Sequence, residues 1–318
     1  VEYDQGAQGS SKLTTRWTHH PLGLMYLASS VQNQFPEINI KIIHTVTCEN
    51  AAEEVQRHVE QFKPEIVGLR SLSLFQEQFQ AMSVTVRGCS QKPYLVGGGP
   101  YPSASYDTLL EGNFVDMVVY EEGEVTFNEL ISFINANGKL PTELEGTAVL
   151  SDEKAVMNDK RAVIDDLDTI AFPDYNQISL DDYEGFSNLA FQSAAECAFV
   201  YTSRGCPYKC YYCHVANVKT VRRRSPQNVI DELDGHYFGR GIRDFVFVDD
   251  IFNVPKKTGK AILELMIKRY PDIRINFPNG LRADQLDEEF LDLLEAAGCV
   301  HLALAFETAT PRLQRMVG

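Results

Sequence analysis

From residue 21 to about 136 the chain alternates short β-rich runs with amphipathic helices, and the alternation resumes after residue 196. Few folds accept that rhythm. Strands joined through helices run parallel, and a parallel sheet needs helices over both faces. In the first half the patterns predict helices at 21–34, 51–62, 75–87, 103–111 and 124–135, with strands at 38–45, 65–70, 94–96 and 114–120. In the second half they predict strands at 198–202, 244–249, 273–277 and 300–306, separated by helices at 226–237, 257–269 and 287–297. Ser225-Pro226 opens the first of those helices with a capping hydroxyl and a first-turn proline. Residues 137–195 are mixed, with a small hairpin expected at 147–150 and 155–157 and an extended connector through Pro173. The reading is α/β in three parts: 1–145, a linker 146–195, and 196–318. Both ends read as incomplete, since the chain opens on Val1 and stops at Gly318 after a helical start.

Composition narrows the function classes. The chain has 318 residues, 44% hydrophobic and 23% charged, with a formal charge of −15, which disfavours broad electrostatic binding to nucleic acid. No apolar run reaches the roughly 18 residues of a membrane span. Its seven cysteines are not spaced as a disulfide framework, so a reducing, cytoplasmic setting is expected. One basic stretch, Lys219-Thr-Val-Arg222-Arg223-Arg224, is open to two readings: a solvated turn, or a role near anionic groups.

The chemistry concentrates in Cys206-Pro-Tyr-Lys-Cys210-Tyr-Tyr-Cys213, spaced C-x3-C-x2-C directly after the apolar run Ala198-Phe-Val-Tyr-Thr. Three thiolates on one loop can hold three irons of a cubane cluster and leave the fourth without a protein ligand, whereas full ligation takes four cysteines. The alternative is a zinc site completed by His214. Adjacent Cys213 and His214 are poorly placed for two corners of one tetrahedron, and no second ligand pair follows. Cys48, Cys89, Cys197 and Cys299 lack such spacing and read as small buried hydrophobes.

This spacing, its place after a strand, and Tyr212 before the last cysteine resemble the signature of the radical S-adenosylmethionine (SAM) superfamily. In that family the open iron chelates the amino and carboxylate groups of SAM, and electron transfer from the cluster gives a 5′-deoxyadenosyl radical. The resemblance implies a 4Fe-4S cluster on Cys206, Cys210 and Cys213, SAM near Tyr212, a flavodoxin- or ferredoxin-type electron donor, and a partial (β/α)6 barrel truncated at its C-terminus. Barrel chemistry sits at the carboxyl ends of strands. Asp249 and Asp250 end the second predicted strand, Asn279 and Arg282 follow the third, and Glu307 follows the fourth. By the resemblance, one of the aspartates approaches the SAM amino group, and Asn279, Arg282 and Glu307 face SAM or substrate. Arg282 is the better candidate of the later ones, because a fixed guanidinium fork suits a carboxylate.

A second resemblance covers the first half. His20-Pro-Leu-Gly-Leu24, Ile66-Val-Gly-Leu69, Val96-Gly97-Gly98-Gly99-Pro100 and Val119-Tyr-Glu121-Glu-Gly123-Glu124 together look like the cobalamin-binding domain of cobalamin-dependent radical SAM enzymes. The implied fold is a doubly wound, Rossmann-like domain with ligand at its strand ends. The cobalamin contacts expected there are Arg70, Ser71, Leu72, Gly97, Gly98, Gly99, Glu121 and Gly123. Two departures stand out: the family's opening strand is missing, and Tyr101 stands where many relatives place histidine. Asp234-Gly-His236-Tyr-Phe-Gly239 matches a cobalt-ligating D-x-H-x-x-G pattern, but in the wrong half, so His236 reads as a surface or interface histidine. Residues 1–145 hold no equivalent, so the cobalamin is expected base-off, its lower face covered by Arg70 or the adjacent apolar loop.

The resemblance implies a methyltransferase moving a methyl group from SAM through cobalamin to a carbon or phosphorus of a small-molecule or peptide substrate. Relatives with these domains also catalyse cyclisation, ring contraction or dehydration. A noncatalytic metal- or cobalamin-binding sensor is the alternative class. A tRNA methylthiotransferase needs three further cluster cysteines in its first domain, and residues 1–145 hold Cys48 and Cys89 alone. No residue is assigned a catalytic role at this point.

Overall fold

The structure is a computed structural model that describes residues 16–210, 213 and 220–317, together with the backbone of residues 2–3. It divides into two compact units, Val1–Ile164 with Ala171–Tyr183, and Asp165–Ile170 with Glu184–Gly318.

The first unit is built on a sheet whose strands are β1 (Glu2–Tyr3), β2 (Ile66–Ser71), β3 (Tyr94–Gly98), β4 (Met117–Val119), β5 (Thr147–Ser151) and β6 (Lys154–Met157), in that spatial order. The first four run parallel and the last two antiparallel. Helices α1 (Leu22–Gln34), α2 (Ala51–Phe62), α3 (Gln76–Gly88), α4 (Pro100–Ala104), α5 (Tyr106–Glu111) and α6 (Glu124–Asn137) cover it. Along β2 the side chains alternate between faces. Val67 and Leu69 join Val55, Val59, Phe79, Val86 and Leu109 in one core. Leu130 and Ile134 of α6 form the other with Val96, Met117 and Val119. Two apolar layers on one sheet make the unit doubly wound, as expected.

Four expectations need correction. Residues 38–43 form no strand. Their alternating isoleucines satisfy β-propensity, which reports fit to a pleated surface and supplies no ladder partner. The family's opening strand, read as missing, has a two-residue counterpart in β1, in register with Arg70 and Ser71. The hairpin at 147–157, read as part of a linker, extends the first sheet beside Met117–Val119. The helix predicted at 103–111 is two short ones, α4 and α5.

The second unit holds a parallel sheet of β7 (Cys197–Val200), then β10 (Asp244–Phe247), β11 (Arg274–Leu281) and β12 (Cys299–Leu304), adjacent in chain order. Between β7 and β10 lies a short antiparallel pair, β8 (Ser203–Arg204) with β9 (Arg222–Arg223). Helices α7 (Pro226–Tyr237), α8 (Lys256–Arg269) and α9 (Glu288–Ala296) alternate with the strands, and α10 (Pro311–Val317) follows. Ser225 caps α7, its hydroxyl accepting from the Asn228 N–H at 3.2 Å. Phe247 and Phe277 of neighbouring strands stack at 5.1 Å, and Phe252 joins them at 4.7 Å from Phe277. Sequential parallel strands with alternating helices are the start of a barrel-type sheet, and they place one set of strand ends beside the cysteine loop.

Candidate functional site

The cysteine loop leaves the second unit through a narrow neck. Ser203 and Arg204 pair with Arg223 and Arg222, so the chain departs and returns across one two-residue ladder. Gly205 follows at φ 89°, a left-handed conformation that glycine adopts without steric cost, and turns the chain into Cys206. Cys206, Cys210 and Cys213 are all free and half-buried, and the Cys213 N–H donates to the Cys210 carbonyl at 3.1 Å. Burial pushes the Cys206 thiol above its ordinary value; the Tyr208 backbone eases the rise, and Asp250, Cys213 and Cys210 add to it. The three thiols therefore share one neighbourhood. Among the described residues no three His, Cys, Asp or Glu side chains are gathered as a metal-holding set. A metal bound there would be held by thiolates, its binding displacing their protons. Tyr212 and His214 lie outside the described residues.

Around the neck the strand ends are rich in polar contacts. Asp249, 3% exposed, accepts through Oδ1 from the Thr202 N–H at 3.0 Å, the Thr202 hydroxyl at 2.8 Å and the Ser203 hydroxyl. Asp250 is exposed and accepts from the Gly205 N–H at 3.3 Å. Asn279 donates to the Val248 carbonyl at 2.9 Å, tying β11 to the end of β10. Arg282 lies 4.0 Å over the Tyr208 ring of the cysteine loop, its Nε and Nη2 held by Asp284 at 2.9 and 3.1 Å. Its fork, expected to be offered to a ligand carboxylate, is thus engaged by a protein carboxylate. Glu307 is exposed, at φ 53°.

At the carboxyl end of the first sheet, Arg70 runs through a slot made by two glycines. A Cβ on Gly99 would lie 2.8 Å from Arg70 Cγ, and one on Gly23 would lie 3.2 Å from Arg70 Nε. Gly99 also sits at φ 84°, so both its backbone and its neighbour require glycine. Gly97 and Gly123 are small for packing reasons instead: a Cβ would meet Pro102 at 3.2 Å in the first case and Leu27 at 3.1 Å in the second. Gly98 meets only the Val119 carbonyl, at 3.7 Å. Ser71 is fully buried and its hydroxyl has no hydrogen-bond partner among the described residues. Leu72 and Leu74 are exposed, Leu74 at 85%. Glu121 pairs with Lys160 at 2.6 Å and holds φ 62°.

Residues 13–131 match the family model of the B12 binding domain, and residues 200–318 match that of the Radical SAM superfamily. The chain belongs to the cobalamin-dependent radical SAM family. An uncharacterized methyltransferase of Pyrococcus horikoshii is 28% identical over 305 residues, 95% of this chain and 63% of that protein. Cytidylyl-2-hydroxyethylphosphonate methyltransferase of Streptomyces wedmorensis is 23% identical over 340 residues, 92% of this chain and 62% of its own length. The chain thus spans less than two thirds of the curated relatives it matches. Among solved structures, the radical SAM methyltransferase TsrM of Kitasatospora setae, with cobalamin and a [4Fe-4S] cluster bound, superposes with TM-score 0.75 at 17% identity, covering 98% of this chain and 59% of that one. The cobalamin-dependent radical enzyme OxsB, with aqua-cobalamin and SAM bound, gives TM-score 0.76 at 18% identity over 95% of this chain and 43% of that one.

Within this cobalamin-dependent radical SAM chain, several residues escaped the sequence reading. His20 and His44 are buried at the first sheet's rim with Tyr175 and Tyr183; His44 Nδ1 lies 2.8 Å from the Tyr183 hydroxyl, and His20 Nδ1 lies 3.4 Å from that of Tyr175. Burial, then His20, holds the His44 imidazole down to about 3, while burial, then Arg70, holds His19 to about 4. His44 and His19 would both be neutral at physiological pH. A search for D-x-H-x-x-G could not find them, because no local spacing marks them. His236, read as a surface or interface histidine, is 5% exposed and packs edge-on to Phe245 at 6.3 Å. Tyr101 is likewise core, edge-on to Phe79 at 5.5 Å, its hydroxyl accepting from Gln80 at 3.0 Å. Of the basic stretch, Arg222 and Arg224 are buried, so it is not a solvated turn.

Proposed function

We propose that this chain is the cofactor-bearing part of a cobalamin-dependent radical SAM methyltransferase acting on a small-molecule or peptide substrate in the cytoplasm, with electrons from a flavodoxin- or ferredoxin-type donor. The observation that carries the reading is the pairing of two strand-end sites in one chain: the glycine slot holding Arg70 beside the unsatisfied Ser71 hydroxyl, and three half-buried thiols at the carboxyl end of a barrel-type strand. The donor sets fit the cofactors. Cys206, Cys210 and Cys213 would hold a 4Fe-4S cluster, Asp250 would accept from the SAM amino group, and Ser71, Leu72 and the Gly97–Gly99 loop would meet the corrin. When bound, these groups supply reductive cleavage of SAM and a carrier for its methyl group. The chain's own residues bind, orient and keep water away: the apolar Leu72 and Leu74 flank Arg70 at the rim, and a guanidinium has no lone pair to give a metal. No helix among the described residues is long and apolar enough to cross a membrane.

Anaerobic reconstitution with iron, sulfide, cobalamin and SAM tests the reading, with mass spectrometry of the SAM products. 5′-Deoxyadenosine together with S-adenosylhomocysteine is expected. 5′-Deoxyadenosine alone would return the chain to cyclisation, ring contraction or dehydration, and binding without either product would make it a sensor. Electron paramagnetic resonance of the Co(II) form tests the lower face. With Arg70 over the metal, no nitrogen superhyperfine splitting from an imidazole is expected. Splitting that disappears in His19→Ala would instead assign the axial position to the neutral histidine beside Arg70.

A further inference from the structure

The adjacent aspartates at the end of β10 have different surroundings, and the difference separates their roles. Asp249 is enclosed: Oδ1 receives three hydrogen bonds from Thr202 and Ser203, and Oδ2 is buried with no hydrogen-bond partner among the described residues. Asp250 is exposed at the start of the cysteine loop, where it accepts from the Gly205 N–H at 3.3 Å. Arg223, on the returning strand of the neck, reaches the same place from the other direction. Its Nε donates to the Val254 carbonyl at 2.9 Å, and its Nη2 to the carbonyls of Ile251 at 2.9 Å and Phe252 at 2.6 Å. Its Nη1 lies 3.5 Å from the Thr202 hydroxyl that Asp249 binds. Each strand of the neck is therefore tied to the segment 249–254, one through a carboxylate and the other through a guanidinium.

We propose that Asp249 and Arg223 are positioning residues that lock the root of the cysteine loop onto the end of the second barrel strand, and that Asp250 alone of the pair meets SAM. The proposal rests on the cluster reading above and refines it. A loop of eight residues from Cys206 to Cys213 carries its thiols on a short ladder, so the cluster's place over the strand ends depends on what holds that ladder. The Asp249 carboxylate is spent on the tether through Oδ1 and shielded from solvent at Oδ2, whereas the exposed Asp250 carboxylate is open to the ammonium of a ligand. Burial raises both the cost of moving it and the cost of leaving the Thr202 N–H without an acceptor.

Three measurements on the full chain test it. The first is hydrogen–deuterium exchange of the apo-protein across residues 198–206. The second is iron per chain after anaerobic reconstitution, followed by its loss to a chelator. The third is SAM affinity of the loaded protein. Asp249→Ala is expected to speed Thr202 amide exchange by about tenfold or more and to raise the rate of iron loss by about fivefold, leaving the SAM Kd of the loaded fraction within about twofold. Ser203→Ala and Arg223→Gln should shift exchange and iron loss in the same direction by less. The Asp249→Ala/Arg223→Gln pair should fall short of the sum of its singles, because the two share Thr202. Asp250→Ala should leave Thr202 exchange and iron unchanged and weaken SAM binding about tenfold or more, the loss of one charge-assisted contact. Should Asp249→Ala fail to fold by circular dichroism, the Ser203 and Arg223 variants decide by the same criteria. The proposal is overturned if Asp249→Ala keeps its iron and loses SAM affinity, or if Asp250→Ala loses iron. A wild-type chain that never loads iron sinks the cluster reading instead, while exchange at Thr202 still judges the tether.

Discussion

Replacing Cys206, Cys210 or Cys213 with Ala is expected to abolish the 4Fe-4S absorbance and with it all SAM cleavage, because each thiolate would hold one iron of the proposed cluster. Cys48→Ala and Cys89→Ala should keep the wild-type iron content. Cys89 is fully buried, its thiol donating to the Thr85 carbonyl at 3.4 Å, and Cys48 donates to the His44 carbonyl at 3.8 Å. Both belong to the first unit and far from the loop in sequence. Iron and sulfide assays on anaerobically prepared variants check the contrast. Stoichiometric zinc in place of iron in the wild-type chain would overturn it.

The second large effect is on stability. Arg224 and Glu232 form an ion pair with side chains 5% and 1% exposed. Arg224 is otherwise satisfied: Nε donates to Asn228 Oδ1 at 2.6 Å, Nη1 to the Tyr201 carbonyl at 2.8 Å and Nη2 to the Asn228 carbonyl at 2.9 Å. Burial pushes the Glu232 carboxyl up, and Arg224 pulls it back. Removing one partner strands the other charge in the interior, so Glu232→Ala is expected to cost about 3–5 kcal/mol. That is a large share of the roughly 5–15 kcal/mol that holds a domain folded. Replacing both by apolar residues of similar volume, Arg224→Met with Glu232→Leu, should recover most of the loss. Urea unfolding followed in the second unit's tyrosines and phenylalanines reads both. A single variant as stable as the double would show that the pair carries no such penalty.

The contrast between Arg222, Arg223 and Arg224 and the charges around them shows where local reading stops. Their sequence reads as three cations after a loop, with a solvated turn as good an explanation as any. In the structure Arg223 caps carbonyls some thirty residues ahead and Arg224 enters the interior to meet Glu232. Neither partner is visible in a window of sequence, because both are set by the packing of α7 and the end of β10. The aspartate pair is similar. Two adjacent carboxylates just past a strand end read alike, and it is the hydrogen bonds from Thr202 and Ser203 that enclose Asp249 while Asp250 stays exposed.

By itself the sequence determined what depends on periodicity and on short covalent spacing. Helices at 51–62 and 226–237 are found where their patterns place them, the four strands of the second sheet follow from short apolar runs, and the cysteine spacing fixes a three-thiol loop. Amphipathic period and loop length are local properties, so they survive without tertiary information. Pairing and burial are not local. Only the tertiary structure decided that residues 38–43 lack a ladder, that the 147–157 hairpin joins the first sheet, and that His20, His44 and His236 are interior. It also decided that Gly23 and Gly99, 76 positions apart, make one slot for Arg70. Each of these rests on which distant segment comes to lie alongside, and that choice is made by the packed core as a whole.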